Sequence, residues 1–246
     1  MLTPTEWHQR FQQQAQWTRS LRDYLFKQSQ MDKASRVLEI GCGTGAVLKE
    51  IQQENHGIDI DFKRLKLGQK VSPRSYLICA DAYSLPYPSR SFDISFGHYL
   101  LLWLKEPLKA LIEMTRITKP GGYTIAIAEP DYGGRIDYPD NLQELGKLQV
   151  QSLKAQGADP LRGRELKSLF SEAGLKDVET GVLNGHWSSA PTQEEWEGEW
   201  RIIENDLENI APISQLEEWK QQDLAAWDNK RRVLFVPTFY AIGRAP

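Results

Sequence analysis

Glu39, Gly41, Gly43 and Gly45 stand at every second position, a carboxylate followed by three glycines. Glycine has no Cβ, so such a turn takes backbone angles closed to other residues and lets a ligand lie against the main chain. If a helix follows, its unpaired N–H groups point at that ligand. The chemistry this suits is binding of a nucleotide-like cofactor. Two more carboxylates follow apolar runs. Asp59 lies within residues 56–61, and Asp81 follows residues 76–80. A carboxylate at the end of a second strand accepts ribose hydroxyls in more than one cofactor class.

The elements that must position these groups are legible from periodicity. Val37, Leu38 and Ile40 form a strand, while Ala46, Val47, Leu48 and Ile51 recur at helical spacing, so the glycine turn should join strand to helix. Further strands are expected at 56–61, 76–82, 91–97 and 123–128. Leu166, Leu169, Phe170 and Ala173 give an amphipathic helix ended by Gly174, and a sixth strand follows at 178–183. The last strand falls at 233–242, where Pro237 demands a bulge or interruption. Between them Thr192-x-x-Glu195 and Ser214-x-x-Glu217 read as capping boxes of two helices. Trp196, Trp200, Ile203, Leu207 and Ile210 stripe the first, and Leu216, Trp219, Leu224 and Trp227 stripe the second. This Trp-rich pair packs on the domain or a second subunit, or serves as a lid. Glu194, Glu195, Glu197 and Glu199 read as a solvated face, or alternatively as a bias toward cationic acceptors such as amines. At the other end Thr3, Pro4 and Glu6 start a helical region with Trp7, Phe11, Ala15, Leu21 and Leu25 on its apolar side. Alternating strands and helices call for right-handed crossovers and a parallel sheet.

Glu39 separates two cofactor classes. Gly41-x-Gly43-x-x-Ala46 also fits the dinucleotide pattern of a nicotinamide-dependent oxidoreductase. A carboxylate two residues before the turn is a poor neighbour for a diphosphate and a good one for an ammonium. The run from Glu39 to Gly45 closely resembles the first motif of class I S-adenosylmethionine-dependent methyltransferases. The stretch from Phe92 through Leu104 to Lys119-Pro120-Gly121-Gly122 resembles their type 11, quinone-biosynthesis-like branch. These motifs together span residues 36–129.

The resemblance implies an α/β, Rossmann-like fold: a seven-stranded, mostly parallel sheet, helices on both faces, the last strand antiparallel. It implies S-adenosylmethionine as cofactor and S-adenosylhomocysteine as product. The cofactor site it implies comprises Glu39, Gly41, Cys42, Gly43, Gly45, Asp59, Ile60, Asp81, Ala82, Gly97 and His98. Trp17 and Arg22, with Thr18 and Arg19, are placed to reach the methionine carboxylate. One domain is expected over 1–246, with 1–34 as helical cap, 35–184 and 231–246 as core, and 185–230 as insertion. The reaction implied is in-line methyl transfer to a small-molecule acceptor. A non-catalytic binding protein of the same fold stays open as an alternative.

For acid–base chemistry His98 is the candidate base, because an imidazole near pKa 6.5 is usable at neutral pH. Tyr132 borders the expected acceptor pocket, where a wall or hydrogen-bond role suits a phenol of pKa about 10. The histidines at 8, 56, 98 and 186 lack metal-ligand spacing, so no metal is expected, although oxygen-ligated magnesium stays open. The formal net charge of −3 gives no electrostatic case for a nucleic-acid partner. Two cysteines, Cys42 and Cys79, suggest no disulfide framework and a reducing, cytoplasmic setting. No apolar run reaches membrane-spanning length. Monomer and homodimer are equally compatible with the sequence.

Overall fold

The computed structural model describes residues 3–182 and 190–246. Helices α1 (Pro4–Trp17) and α2 (Arg19–Gln28) precede β1 (Arg36–Ile40), β2 (Glu54–Asp59), α3 (Phe62–Val71), β3 (Tyr76–Cys79) and β4 (Phe92–His98). Next come α4 (Pro107–Ile117), β5 (Thr118–Pro130), β6 (Ile136–Tyr138), α5 (Gln143–Ala155), α6 (Leu166–Glu172) and β7 (Lys176–Val182). The chain closes with α7 (Gln193–Leu207), α8 (Ile213–Asp228), β8 (Val233–Phe235) and β9 (Thr238–Arg244).

Seven strands form one sheet in the order β3-β2-β1-β4-β5-β9-β7. The pairs from β3 to β5 are parallel, and β9 runs antiparallel to both β5 and β7. This is the expected Rossmann-like sheet with its last strand reversed. Side chains alternate across β1: Val37 packs with Leu21 and Leu25 of α2, while Leu38 and Ile40 pack with Leu111 and Met114 of α4 and Phe170 of α6. The sheet is thus covered on both faces, and the carboxyl ends of β1, β2 and β4 converge where the order reverses, the place an open α/β sheet offers a ligand.

Several sequence expectations change. No regular helix follows the glycine turn. Gly41, Gly43 and Gly45 all take positive φ (+71°, +53° and +72°), and the chain passes through a short 3-10 turn at Leu48–Glu50 before β2 opens at Glu54. Left-handed residues at alternate positions break an i→i−4 ladder, and the strand arrives too soon for one to form. The strand expected at 76–82 stops at Cys79. The 233–242 run divides at Pro237: β8 pairs with β6 in a separate two-stranded sheet, and β9 enters the main one. Ser214 caps nothing, because α8 already begins at Ile213 with Pro212 in the cap position. Thr192 and Glu195 do form the reciprocal box that opens α7. Leu183 and His186 lie outside the described residues.

Helices α5, α7 and α8 share a small core of their own, with Leu142, Leu145, Trp200, Ile203, Leu207, Leu216 and Trp219 buried in it. Beside it the buried Arg232 guanidinium bonds Asp137 at 2.8 Å and Asp223 at 2.6 Å. The indoles of Trp196 and Trp200 donate to the second oxygen of Asp223 at 2.7 and 3.0 Å. Two of the tryptophans therefore serve a buried carboxylate as well as an apolar stripe.

Candidate functional site

A cleft of about 390 Å³ opens at the carboxyl ends of β1, β2 and β4. Among the residues expected to bind cofactor, Glu39, Gly41, Cys42, Gly43, Asp59, Ile60, Asp81, Ala82 and His98 line it. Sequence neighbours hold these groups in place. Asp59 is buried and receives the Gly43 N–H on one oxygen and the Asp61 N–H on the other, each at 2.8 Å, so it ties the glycine turn to the end of β2. Asp81 is exposed and spends only one oxygen on a local bond, from the Tyr83 N–H at 2.9 Å.

Glu39 differs from both. It is 2% exposed, and its Oε2 has no hydrogen-bond partner. Burial drives its carboxyl well above the usual carboxylate range, with Arg22 pulling the other way and Asp59 and Glu50 adding to the rise. A buried, unpaired carboxylate is costly, and a cation delivered by a ligand would relieve it.

Helix α1 roofs the glycine turn. Trp7, Phe11 and Gln14 line the cleft. The Phe11 ring stands where a Cβ on Gly43 would meet it at 2.8 Å, and His8 Nδ1 lies 2.7 Å from Thr44 Oγ1. The Arg64 guanidinium of α3 sits 5.2 and 5.4 Å from the Trp7 and Phe11 ring centres. The sequence had put Trp7 and Phe11 on the apolar side of this helix without assigning them to the site.

Gly45, Gly97, Trp17, Thr18, Arg19, Arg22 and Tyr132 were expected at the site but do not line the cleft. Gly45 and Gly97 sit behind it, Gly97 because a Cβ there would strike Leu100 at 2.7 Å. Trp17 is 43% exposed beneath the Arg10 guanidinium, and Arg19 is exposed as well. Arg22 is buried and committed: it bonds Glu50 at 2.7 Å, Thr18 Oγ1 at 2.8 Å and the Ala15 carbonyl. Its guanidinium braces the joint between α1 and α2, so it does not extend toward a ligand.

His98 does border the cleft, with Nε2 2.9 Å from Thr18 Oγ1. Burial, seconded by the Arg22 charge, holds its pKa down to about 3. The expectation of a base near 6.5 is therefore corrected: the ring is neutral at physiological pH and a poor proton acceptor there. Tyr132 follows β5 in a short 3-10 turn, and burial raises its phenol above the ordinary value. That supports a wall or hydrogen-bond role over deprotonation.

A second group of polar side chains gathers beside the cleft from distant elements. Arg10 of α1 pairs with Glu199 of α7, so Glu199 is no solvated residue. Their charges act on the phenols of both Tyr99 and Tyr132, and Asp206 of α7 acts on Tyr132. Tyr99 lines the cleft and holds φ at +51°, an unusual conformation for a bulky residue. Neither phenol makes a hydrogen bond among the described residues. Among those residues, too, no cluster of His, Cys, Asp and Glu is arranged to hold a metal ion, and no helix is long and apolar enough to cross a membrane.

Residues 38–126 match the family model described as a methyltransferase domain. The chain is 33% identical over 185 residues to the demethylmenaquinone methyltransferase of Geobacillus kaustophilus, a match covering 64% of this chain and 78% of that protein. It is 28% identical over 158 residues to an uncharacterized methyltransferase of Schizosaccharomyces pombe, covering 57% of this chain but only 56% of the yeast protein. Among solved structures it resembles phosphoethanolamine N-methyltransferase 2 of Haemonchus contortus, solved with S-adenosylhomocysteine. The TM-score is 0.52 at 17% identity, over 86% of this chain and 49% of that one, a likeness of fold.

Proposed function

Because the chain belongs to the class I S-adenosylmethionine-dependent methyltransferases, we propose that it binds S-adenosylmethionine in the cleft and methylates a small-molecule acceptor there, releasing S-adenosylhomocysteine. The observation that carries this reading is the orphaned Glu39 Oε2, a buried carboxyl facing the cleft, which the ammonium of the methionine part would hold in its charged form. Asp59, already oriented by two amides, retains lone pairs for the ribose hydroxyls, and exposed Asp81 retains an oxygen for the adenine amine. The glycine turn gives the backbone approach, and Trp7, Phe11 and Gln14 of α1 cover it.

The bound cofactor supplies a methyl already activated on a sulfonium, so the protein's task is alignment and exclusion of water. Phe11 and Trp7 shield the glycine turn from solvent. His98, neutral and bonded to Thr18, fixes the end of β4 and moves no proton. Tyr99 and Tyr132, with Arg10, Glu199 and Asp206, form the acceptor side, where free phenol hydroxyls can orient a polar acceptor.

Calorimetric titration with S-adenosylhomocysteine, with NAD run alongside, tests the reading. Saturable binding of the first and none of the second is expected. Binding of NAD alone would overturn the cofactor class; binding of neither would favour a non-catalytic protein of this fold.

A further inference from the structure

Glu129 is wholly buried at the end of β5, yet its carboxylate is not bonded to any cation. One oxygen accepts the N–H of Leu100 at 3.0 Å and of Leu101 at 2.8 Å; the other accepts the N–H of Leu102 at 3.0 Å. Three consecutive amides thus converge on one carboxylate, the arrangement by which a turn binds an anion. Here the anion belongs to the chain itself.

The backbone is bent to deliver it. The β5–β9 register slips between Ala126 and Glu129, and Ala128 takes φ of +64°. A bulge of this kind re-aims the side chain that follows. Gly163 lies against the Glu129 carbonyl so closely that a Cβ there would stand 2.7 Å from it. The turn being held is the one that bears the strained Tyr99 and continues through Leu101–Trp103, and Tyr99, Leu100, Trp103 and Leu104 all line the cleft.

We infer that Glu129 is a positioning residue: an internal anion whose three amide bonds hold the turn after β4 against the cofactor cleft and keep Tyr99 in its left-handed conformation. It touches no ligand itself and acts through Tyr99, Leu100 and Trp103. That this cleft binds cofactor rests on the function proposed above; that Glu129 organises the turn does not.

The test is Glu129→Ala with and without formate, at pH 8.5, followed by hydrogen exchange of the amides of residues 100–102 and by S-adenosylhomocysteine titration. Exchange at those amides should rise and affinity should fall about tenfold. Millimolar formate, a carboxylate small enough for the space vacated, should restore protection in Glu129→Ala and leave the native protein unchanged. Glu129→Gln should lie between, because its NH2 faces a donor. Unchanged exchange in Glu129→Ala, or loss that formate does not reverse in a protein with native circular dichroism, would overturn the inference. If Glu129→Ala does not fold, Glu129→Gln decides by the same exchange readout, native protection overturning it. Failure of the native protein to bind S-adenosylhomocysteine would sink the cofactor reading alone, since the exchange arm is independent of it.

Discussion

The floor of the cleft and the helical cap above it are held by opposite kinds of bond. On the floor, carboxylates bond to backbone amides: Asp59 to Gly43 and Asp61, Glu129 to Leu100, Leu101 and Leu102. In the cap, side chains bond to side chains: Arg10 to Glu199 and Arg232 to Asp137 across long stretches of sequence, and Arg232 to Asp223 nearer by. Amide bonds fix the main chain and leave side chains such as Glu39 unsatisfied for a ligand. The charge pairs satisfy each other and fix where whole elements sit. The floor is therefore prepared for a ligand, and the cap for its own assembly.

The contrast fails if the cap does not depend on its charges. Arg232→Ala leaves Asp137 and Asp223 with less compensation, and a loss of about 3–5 kcal/mol is expected on breaking a buried pair. Thermal unfolding measures it, and a loss below 1 kcal/mol or so would show the cap to be held by its apolar core alone. On the floor, burial lifts the Glu129 carboxyl to about 7 despite its three amides and nearby Arg162. A folded pKa above the unfolded value means that the folded state holds the proton longer. Its contribution is full below about pH 4.5 and is lost as pH rises through 7, amounting to up to about 3 kcal/mol. Denaturant unfolding from pH 4.5 to 8 should show that decline, and Glu129→Gln should flatten it. Asp59→Ala should weaken S-adenosylhomocysteine by on the order of 1.5–3 kcal/mol, as calorimetry would read, and should also lower the melting temperature, because the Gly43 and Asp61 amides lose their acceptor; lower melting with unchanged affinity would mean that its role is only to brace Gly43. The smallest effect belongs to His98. No limb near pH 6.5 assignable to it should appear in a pH–rate profile, and His98→Ala should leave any existing profile's shape intact.

The same contrast decides what the sequence reveals. Glu39, the glycines, Asp59 and Asp81 could be placed because each follows its own strand, and their spacing survives folding. The break at Pro237 was legible for a similar reason, since a missing amide is a local fact. The regular helix after Gly45 was not borne out, because apolar spacing at Ala46, Val47, Leu48 and Ile51 says nothing of three positive φ angles just before it. Glu199 read as solvated because its partner Arg10 lies 189 positions away. Arg22 and Trp17 had the right chemistry for a carboxylate, but only the packing of α1 on α2 decides which way they face. The role of Glu129 was not legible in the sequence, because its three partners lie 27 to 29 positions earlier.

Pro237 has a mechanical side. The proline leaves an interruption between β8 and β9, so one stretch of chain belongs to two sheets with no shared ladder across the joint. Its carbonyl accepts the Asp131 N–H at 2.8 Å, and its ring rests where a side chain on Gly134 would be. The joint is thus a pivot with a fixed bearing. The segment that carries Tyr132 is thereby fastened to the point where the two sheets part, so its position is set by both sheets and by neither alone.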